Sequence, residues 1–445
     1  MHKFHCFLIA LSLFSVISLF SRTAMAGGNE WDQFLAQRAR SLETCHDLDE
    51  LIEAAGSARL ALLGEASHGT HEYYVWRDSI SRRLIEEKGF NFIAVEGDFA
   101  SLFELNRYVK NLPGAASSAR EVLSSLNRWP LWMWANQEVE GLAEWLRRYN
   151  DTLPDQKKIG FYGIDVYDEW RSMEAVLSFL HQVDPLLHTK ALQWYGCMAS
   201  FSGNSWDYAR AVQQGMQPCT LQLQQVVHLL EENRDRWNHI NDYDYFFALQ
   251  NAVVKQNAEK FYRKSLTRQD ASSWNARVQH MHQTVNRLLD LYGTGSRGIV
   301  WAHNTHVGDA RFTDMFQARH QNIGQLSREH WGPEQVFIVG FTTYKGRVLA
   351  ARQWDAPMQE MRIAPARRNS IEYILNRQEK PAYFVLFDDH SRTHPDLLRA
   401  RGHRAVGVVF NPANEPRQYV NTQLSLRYDA IIFFHNTRAL TPVSR

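Results

Sequence analysis

Short apolar runs bounded by turn-forming residues recur along the chain, and they predict buried β-strands. Eight such runs cover residues 59–63, 92–95, 159–162, 299–302, 336–339, 383–387, 405–409 and 430–434. Stretches with helical periodicity separate most of them. Strands that alternate with helices favour a parallel arrangement with helices on both faces. The pattern therefore predicts an α/β fold with a mostly parallel central sheet flanked by helices.

A long stretch from about residue 168 to 292 contains no apolar run of the strand type. Amphipathic segments fill it instead, over residues 221–234 and 245–264. A third segment places six apolar residues on one helix face: Trp274, Val278, Met281, Val285, Leu288 and Tyr292. We therefore predict a large all-helical insertion between two strands of the sheet. It could form a lid or substrate wall, or it could simply enlarge the core.

The first 26 residues follow the order of a secretory signal peptide. A short basic start precedes an apolar run over residues 7–20, and Ala24 and Ala26 form a small-residue cleavage pattern before Gly27. The alternative is a membrane anchor, but a spanning helix needs about 20 apolar residues. We expect cleavage near Ala26 and a periplasmic or secreted protein without stable membrane insertion.

Composition supports one large domain over residues 27–445. The chain has 44% hydrophobic residues and no linker or repeat, and its net charge of +1 argues against a nucleic-acid partner. Without Cys6, three cysteines remain, and an odd number cannot pair fully. Cys197 and Cys219 could pair in an oxidising compartment, which would leave Cys45 as a buried thiol.

Ionisable residues follow each of the first four predicted strands, at the end that we call the carboxyl edge of the sheet. They are Glu65 and His68 in the segment GEASHG, Glu96, Asp165, and His303 with His306. Ligands bind at this edge in open α/β sheets. A single glutamate there is more often a helix N-terminal charge, and a single histidine is more often a core or surface residue. The combination favours a functional site, provided that the strands are neighbours.

Arg77 adds an independent argument. A helix predicted from about residue 70 to 88 places this guanidinium on the same face as Ile80. A buried charge is costly unless it is paired, which makes Glu65 and Glu96 the expected partners. The alternative is that Arg77 lies at the border of the apolar face and extends to water.

These residue types indicate water activation by histidine. The G-x-S-x-G motif of serine hydrolases is missing from the sequence. His68 and His303 could act as general base and general acid, since imidazole titrates near neutral pH. Glu65 or Glu96 could fix the tautomer of one ring, and Arg77 could orient the carboxylates or stabilise an oxyanion. The predicted mechanism needs no covalent intermediate.

A metal-dependent hydrolase of esters or peptides is the first alternative. His68, His303, His306, Glu65 and Glu96 are all competent zinc ligands. The spacing His303-x-x-His306 lacks the H-E-x-x-H pattern of zinc proteases, however.

A protein that binds polysaccharide without catalysis is the second alternative. The chain has 14 tryptophans, which could form platforms for sugars. Trp129, Trp132 and Trp134 are more typical of a core or a pocket wall.

Several motifs in a fixed order resemble the erythromycin esterase family, over roughly residues 30–440. The first is GEASHGTHEYYVWRDSISRRLIEEKGFNFIAVEGDF, followed by WMWANQEV, FYGIDVYD, SWNARVQHM and WAHNTHVGDAR, and then by NIGQL, WDAP and RYDAIIFF. The chain is most similar to the long members, some of which carry an additional phosphoribosyltransferase domain that this sequence lacks.

The resemblance implies a hydrolase that opens a macrolactone ester with histidine-activated water and without a cofactor. It implies that His68 is the general base and that Glu65, Arg77 and Glu96 form its supporting network. His303 then becomes the second active-site histidine.

The same resemblance implies a substrate-binding group of His306, Asp165, Arg277 and Trp134. One departure concerns the helix that contains Arg277, because better-known members have an aspartate next to this arginine and this chain has Val278. The expected partner is a small-molecule ester or lactone. A macrolide is one candidate, and with it a role in antibiotic resistance.

Overall fold

The computed structural model describes residues 30–237, 240–267 and 270–443. The predicted signal peptide, residues 1–26, lies outside the described residues. None of the described helices combines the length and the apolar character that crossing a membrane requires.

Eleven strands and nineteen α-helices make up the described fold. The strands are β1 (Arg40–Ser41), β2 (Leu60–Leu63), β3 (Phe92–Asp98), β4 (Gly160–Asp165), β5 (Gly298–Trp301), β6 (Val336–Ala351), β7 (Met358–Ile363), β8 (Ala382–Leu386), β9 (Arg401–Arg404), β10 (Tyr419–Thr422) and β11 (Ala430–Thr437). The helices before β5 are α1 (Glu30–Arg38), α2 (Asp49–Ala55), α3 (His71–Lys88), α4 (Phe99–Val109), α5 (Ala119–Ser125), α6 (Gln137–Asn150), α7 (Glu169–Val183), α8 (Pro185–Tyr195), α9 (Ser205–Gln213), α10 (Thr220–Glu232), α11 (Asp242–Thr267) and α12 (Ser272–Tyr292). The helices after β5 are α13 (Asn304–Val307), α14 (Asp314–Gln317), α15 (Ile323–Trp331), α16 (Ile371–Leu375), α17 (Asp389–Thr393), α18 (Pro395–Leu398) and α19 (Leu424–Arg427).

Nine strands form one sheet in the order β1-β8-β11-β6-β2-β5-β3-β4, with β7 paired to β6. The six strands from β11 to β4 are parallel to one another. Strands β1, β7 and β8 pair antiparallel. The predicted fold class, a mostly parallel sheet flanked by helices, is therefore confirmed.

Two apolar layers cover the sheet, one on each face. Alternate residues of β2 enter different layers: Leu60 and Leu62 pack in one, and Ala61 and Leu63 pack in the other. All four residues are buried. A strand buried on both faces has a continuous apolar sequence, which is why the strands could be predicted from short apolar runs.

The insertion between β4 and β5 consists of α7 to α12, as predicted. Its last helix, α12, packs Val278, Met281, Val285 and Leu288 against the sheet, whereas the preceding helices also form a core of their own. Cys197 and Cys219 form a disulfide in this part of the molecule. The prediction that Cys45 is buried is wrong, because this thiol is exposed among polar neighbours.

The predicted strand at residues 405–409 is also wrong. This segment forms only isolated bridges, from Val406 to Ser67 and from Val409 to Ala351. Its backbone bonds go to separate loops and to the end of β6 rather than to one continuous strand ladder. Its buried side chain, Val406, packs in a small apolar cluster with residues of β6 and β7 such as Val348 and Met361.

Candidate active site

Four neighbouring parallel strands end together at the carboxyl edge. The last residues of β2 and β5, Leu63 and Trp301, are in register, and Val95 of β3 is in register with the same Trp301. Val95 is in turn in register with Gly163 of β4. The residues that follow these positions must therefore meet, and the structure brings together Glu65, His68, Glu96, Asp165, His303 and His306.

The loop after β2 builds a chain of three side chains. Nδ1 of His68 lies 2.8 Å from Oε1 of Glu65, and Nη2 of Arg77 donates to Oε2 of the same carboxylate at 2.9 Å. A carboxylate only accepts hydrogen bonds, so Nδ1 of His68 carries the proton. In the neutral ring, Nε2 then keeps its lone pair.

Arg77 is fully buried, so the alternative in which it extends to water is wrong. Its partner is Glu65 rather than Glu96. The rings of Tyr74 and Trp301 lie 4.3 and 4.7 Å from the guanidinium carbon. These cation–π contacts help to compensate the charge in an apolar environment.

Backbone contacts hold the loop GEASHG rigidly. The carbonyl of Gly69 accepts hydrogen bonds from the N–H groups of Leu349 and Leu440, and the carbonyl of Ala66 accepts one from Val406. A Cβ on Gly69 would lie 1.8 Å from the carbonyl oxygen of Leu349. Only glycine fits at this position, which fixes the backbone next to His68.

The loop after β5 holds His303 in the opposite way. Thr305 contacts Nδ1 of His303 twice: its N–H donates to this nitrogen at 3.2 Å, and its hydroxyl lies 2.8 Å away. A backbone N–H can only donate, so Nδ1 is the acceptor and Nε2 of the neutral ring carries the proton. In the part of the chain that the structure describes, this Nε2 is buried and makes no hydrogen bond of good geometry, although the backbone of Ala66 lies close to the ring. The rings of His68 and His303 are 5.0 Å apart.

The two histidines also differ in acidity. Burial lowers the pKa of His68, but the negative charge of Glu96 and the hydrogen bond to Glu65 outweigh it and raise this pKa above its ordinary value. Burial, together with the nearby His68, holds the pKa of His303 well below its ordinary value. His68 is thus the better base, whereas His303 stays neutral and can donate from Nε2.

Arg277 of α12 links the carboxylates of β3 and β4. Its guanidinium donates to Oδ1 and Oδ2 of Asp165 at 2.8 and 2.5 Å, and to Oε1 of Glu96 at 2.8 Å. Burial opposes the charge of Glu96, but His306, His68 and Arg277 lower the pKa of this carboxyl well below its usual range. Glu96 is therefore ionised, and an arginine from the insertion compensates its charge. No aspartate follows Arg277, and Val278 is instead part of the core.

His306 and Trp134 support this group from two sides. Nε2 of His306 lies 3.2 Å from Oε1 of Glu96, and its ring stacks on Trp274 with 4.4 Å between the centroids. The indole N–H of Trp134 donates to the carbonyl of Glu96 at 3.2 Å. Both residues therefore restrict the position of Glu96.

A cavity of about 540 Å³ opens onto this group. Its lining includes most of the predicted site residues: His68, Glu96, Trp134, Asp165, Arg277, His303 and His306. Glu65 and Arg77 lie behind the lining and reach the cavity only through His68. The volume is typical of a site for a small molecule.

Several lining residues were missed by the sequence analysis. Among them, Arg128 forms a two-bond contact with Asp98 at 2.7 and 2.9 Å. Trp129, for which a core or a pocket wall was predicted, lines the cavity and lies 4.5 Å from Trp354. Asp98 is only two residues beyond Glu96, so its position on β3 was a usable signal. Arg128 lies in a segment without periodicity and gave none.

The carboxylates of the site are engaged by arginines. Glu65 binds Arg77, and Glu96 and Asp165 bind Arg277. Within residues 30–237, 240–267 and 270–443, no group of three or more His, Cys, Asp or Glu side chains is arranged to hold a metal ion.

Known proteins resemble this chain in sequence and in fold. The family model described as Erythromycin esterase matches residues 85–437. "Putative hydrolase YbfO" of Bacillus subtilis (strain 168) is 20% identical over 452 residues, which cover 94% of each chain. Erythromycin esterase type II of Escherichia coli is 29% identical over 142 residues, or 31% of this chain and 32% of that protein.

A solved structure extends the likeness to the fold. The erythromycin esterase mutant EreC in its open conformation has a TM-score of 0.63 and 16% identity, and covers 90% of this chain and 97% of that one.

Proposed function

The chain belongs to the erythromycin esterase family, and on this premise we propose that it hydrolyses a carboxylic ester or lactone with water activated by His68. The family and the hydrolase names of its relatives support a hydrolase. One observation supports the more specific proposal, in which His68 activates the water. Glu65 holds Nδ1 of His68 at 2.8 Å, which leaves Nε2 unprotonated in a ring that lines the cavity.

The first step adds water to the ester. Nε2 of His68 takes a proton from a water molecule while the water oxygen bonds to the carbonyl carbon. The π electrons of the carbonyl move to its oxygen, and the resulting oxyanion accepts a hydrogen bond from Nε2–H of His303. Glu65 and Glu96 stabilise the imidazolium that forms at His68.

The second step expels the alcohol. The carbonyl double bond re-forms, the bond from carbon to the ester oxygen breaks, and this oxygen receives the proton from His68. The products are an acid and an alcohol, or one hydroxy acid if the substrate is a lactone. No residue is acylated, and both histidines return to their starting protonation states.

The proposed substrate is a small-molecule ester or lactone, with a macrolide as one candidate. The family name and the partial likeness to Erythromycin esterase type II support this candidate. We also propose export, on the basis of residues 1–26. N-terminal sequencing of the exported protein is expected to give a start near Gly27.

Mass spectrometry of the reaction products tests the proposed activity. The wild-type protein is incubated with several macrolides and with generic esters, and each product is examined for the gain of one water. We expect His68→Ala to abolish hydrolysis while circular dichroism shows a folded protein. The matched control is His46→Ala, an exposed histidine outside the cavity, which is expected to keep the wild-type rate.

Three results would overturn the proposal. An unchanged rate in His68→Ala would exclude His68 as the base. Loss of activity with a chelator and recovery with zinc would favour the metal-dependent alternative. Binding of sugars with no hydrolysis of any ester would favour the polysaccharide-binding alternative.

A further inference from the structure

A second histidine–glutamate pair is buried next to the candidate site. Nδ1 of His403 lies 2.7 Å from Oε1 of Glu372, and both side chains are almost fully inaccessible to solvent. The same oxygen accepts the backbone N–H of Arg404 and the hydroxyl of Thr342, both at 2.9 Å. The pair repeats the contact between His68 and Glu65, but neither residue lines the cavity. Direct contact with a substrate therefore does not explain it.

The protonation of this pair follows from its surroundings. Although burial opposes the charge of Glu372, the hydrogen bond from His403 and the charge of Arg404 lower the pKa of this carboxyl to about 2. Burial lowers the pKa of His403 from its ordinary value despite the adjacent carboxylate. The neutral ring donates from Nδ1 to Glu372, so its Nε2 is a hydrogen-bond acceptor.

The acceptor faces Asn304, the residue next to His303. Nδ2 of Asn304 lies 3.3 Å from Nε2 of His403 and also donates to the carbonyl of Phe341 at 2.8 Å. Each of the two N–H groups of the side-chain amide thus has an acceptor. Phe341 and His403 together fix the orientation of the amide. The N–H of Phe341 donates to Oδ1 of Asn304 at 3.4 Å, and a reversed amide would place an acceptor against Nε2 of His403.

Asn304 connects the loops that carry the two site histidines. Its backbone N–H donates to the carbonyl of Glu65 at 2.8 Å, and its own carbonyl accepts from Nη2 of Arg427 at 2.7 Å. Its side chain fills the space beside Gly64, where a Cβ would lie 2.1 Å from Oδ1 of Asn304. A shift of Asn304 would therefore move Glu65 relative to His303.

We propose that His403 and Glu372 are positioning residues that act through Asn304 to fix the separation of His68 and His303. This inference rests on the proposed function, in which one histidine takes the proton of water and the other stabilises the oxyanion. A misplacement of about 1 Å is enough to slow such a reaction by roughly a hundredfold. A pair outside the cavity can therefore control the rate while leaving substrate binding nearly unchanged.

Two substitutions of His403 separate positioning from a general contribution to folding. In His403→Gln the amide reaches the place of Nε2 and can still accept from Asn304. In His403→Asn the shorter amide reaches only the place of Nδ1 and can still donate to Glu372. His403→Gln loses the bond to the buried carboxylate, whereas His403→Asn loses the longer bond to a neutral amide, so the thermal stability is expected to fall more in His403→Gln. A general contribution to folding would therefore rank the two variants in the opposite order to positioning.

The rates are expected to differ. We expect His403→Gln to retain kcat within a few-fold, and His403→Asn to lose roughly tenfold to a hundredfold in kcat with little change in KM. Equal losses in the two variants, or a wild-type kcat in His403→Asn, would overturn the proposal. A rise in KM as large as the fall in kcat would also contradict it.

A second measurement works without any substrate. Histidine NMR of isotope-labelled protein gives the titration of His68 in the wild type and in both variants. Because the pKa of His68 depends on the charges around it, His403→Asn is expected to shift its titration and His403→Gln to preserve it. If no ester is hydrolysed by the wild type, the proposed function fails, and the titrations alone decide on positioning: identical midpoints in the three proteins would overturn it.

Discussion

The loops after β2 and β5 each place a histidine at the carboxyl edge, but they hold it in opposite ways. A carboxylate accepts from Nδ1 of His68, whereas a backbone N–H donates to Nδ1 of His303. The free nitrogen is therefore a base in one ring and a donor in the other. The comparison shows that the hydrogen-bond partner at Nδ1, rather than the residue type, determines which of two neighbouring histidines is the base and which is the donor.

Among variants that keep both histidines, the largest expected effect comes from Glu65→Gln. A glutamine cannot present an oxygen to both Arg77 and His68, so its NH2 group would face one of these two donors. If it faces His68, the ring adopts the other tautomer and loses its base. We expect kcat to fall by roughly 10²- to 10⁴-fold with the protein still folded.

The control for this variant is Glu72→Gln, which alters a surface ion pair with Arg438. Exposed pairs contribute little, so its kcat is expected to stay within about twofold of the wild type. Similar rates for Glu65→Gln and Glu72→Gln would show that the carboxylate does not set the tautomer of His68.

Glutamine at the two histidine positions sharpens the comparison further. At position 303 the amide can supply an N–H near Nε2, so His303→Gln is expected to retain more activity than His303→Ala, which should lose roughly 10²- to 10³-fold in kcat. At position 68 an amide cannot accept a proton from water. His68→Gln should therefore be as inactive as His68→Ala, and equal activities of the two His303 variants would contradict the donor role.

The smallest expected effect is a shift in the pH profile. The base must be unprotonated, so kcat/KM should rise with pH through the pKa of His68. Because this pKa is raised, the midpoint should lie above the usual histidine value of about 6.5. His303 stays neutral because its pKa is well below the ordinary value. Its titration therefore causes no second change in kcat/KM from about pH 5 to 8.

Glu65→Gln provides the matching test of the profile. Removing the carboxylate removes one of the causes that raise the pKa of His68, so the midpoint of the residual activity should move to lower pH. If the midpoint of the rise in kcat/KM moves to higher pH or does not move, the group that titrates is not His68.

Much of the site could be predicted from sequence because its residues are adjacent to strand ends. Glu65, Glu96, Asp165 and His303 each follow a continuous apolar run, and parallel strands bring their carboxyl ends to one edge. Helical periodicity placed Arg77 on an apolar face, and the structure decided between burial and extension to water. In each case the deciding contact is local in sequence or is fixed by the sheet.

The remaining features depend on contacts that no local pattern records. Residues 405–409 have the apolar character of a strand, but their hydrogen bonds go to Ala66 and Ala351 instead of a continuous ladder. The partner of Asn304 is His403, 99 residues later. Arg128 lies in a loop, and only the folded chain shows that it meets Asp98.

Strand β6 shows that a hydrophobic pattern does not predict where a strand ends. Its predicted range ended at residue 339, whereas the strand continues to Ala351. Glycine and threonine interrupt the apolar run, although the backbone continues to pair with β11 as far as Gly346. Strand pairing thus extends an element beyond the point where its hydrophobic pattern ends.

Through Arg277, the helical insertion helps to hold the carboxylates at the carboxyl edge of the sheet. Without this guanidinium, Asp165 and Glu96 would be two buried carboxylates with too little compensating charge. The helices before α12 pack largely in a core of their own, although Val254 of α11 also packs against the sheet. Among the described residues, none of those that line the cavity lies on α7 to α11. Exchange of these helices between relatives is therefore expected to leave the site intact, provided that the exchanged segment keeps the contact of α11 with the sheet, ends before α12 and leaves Arg277 in place.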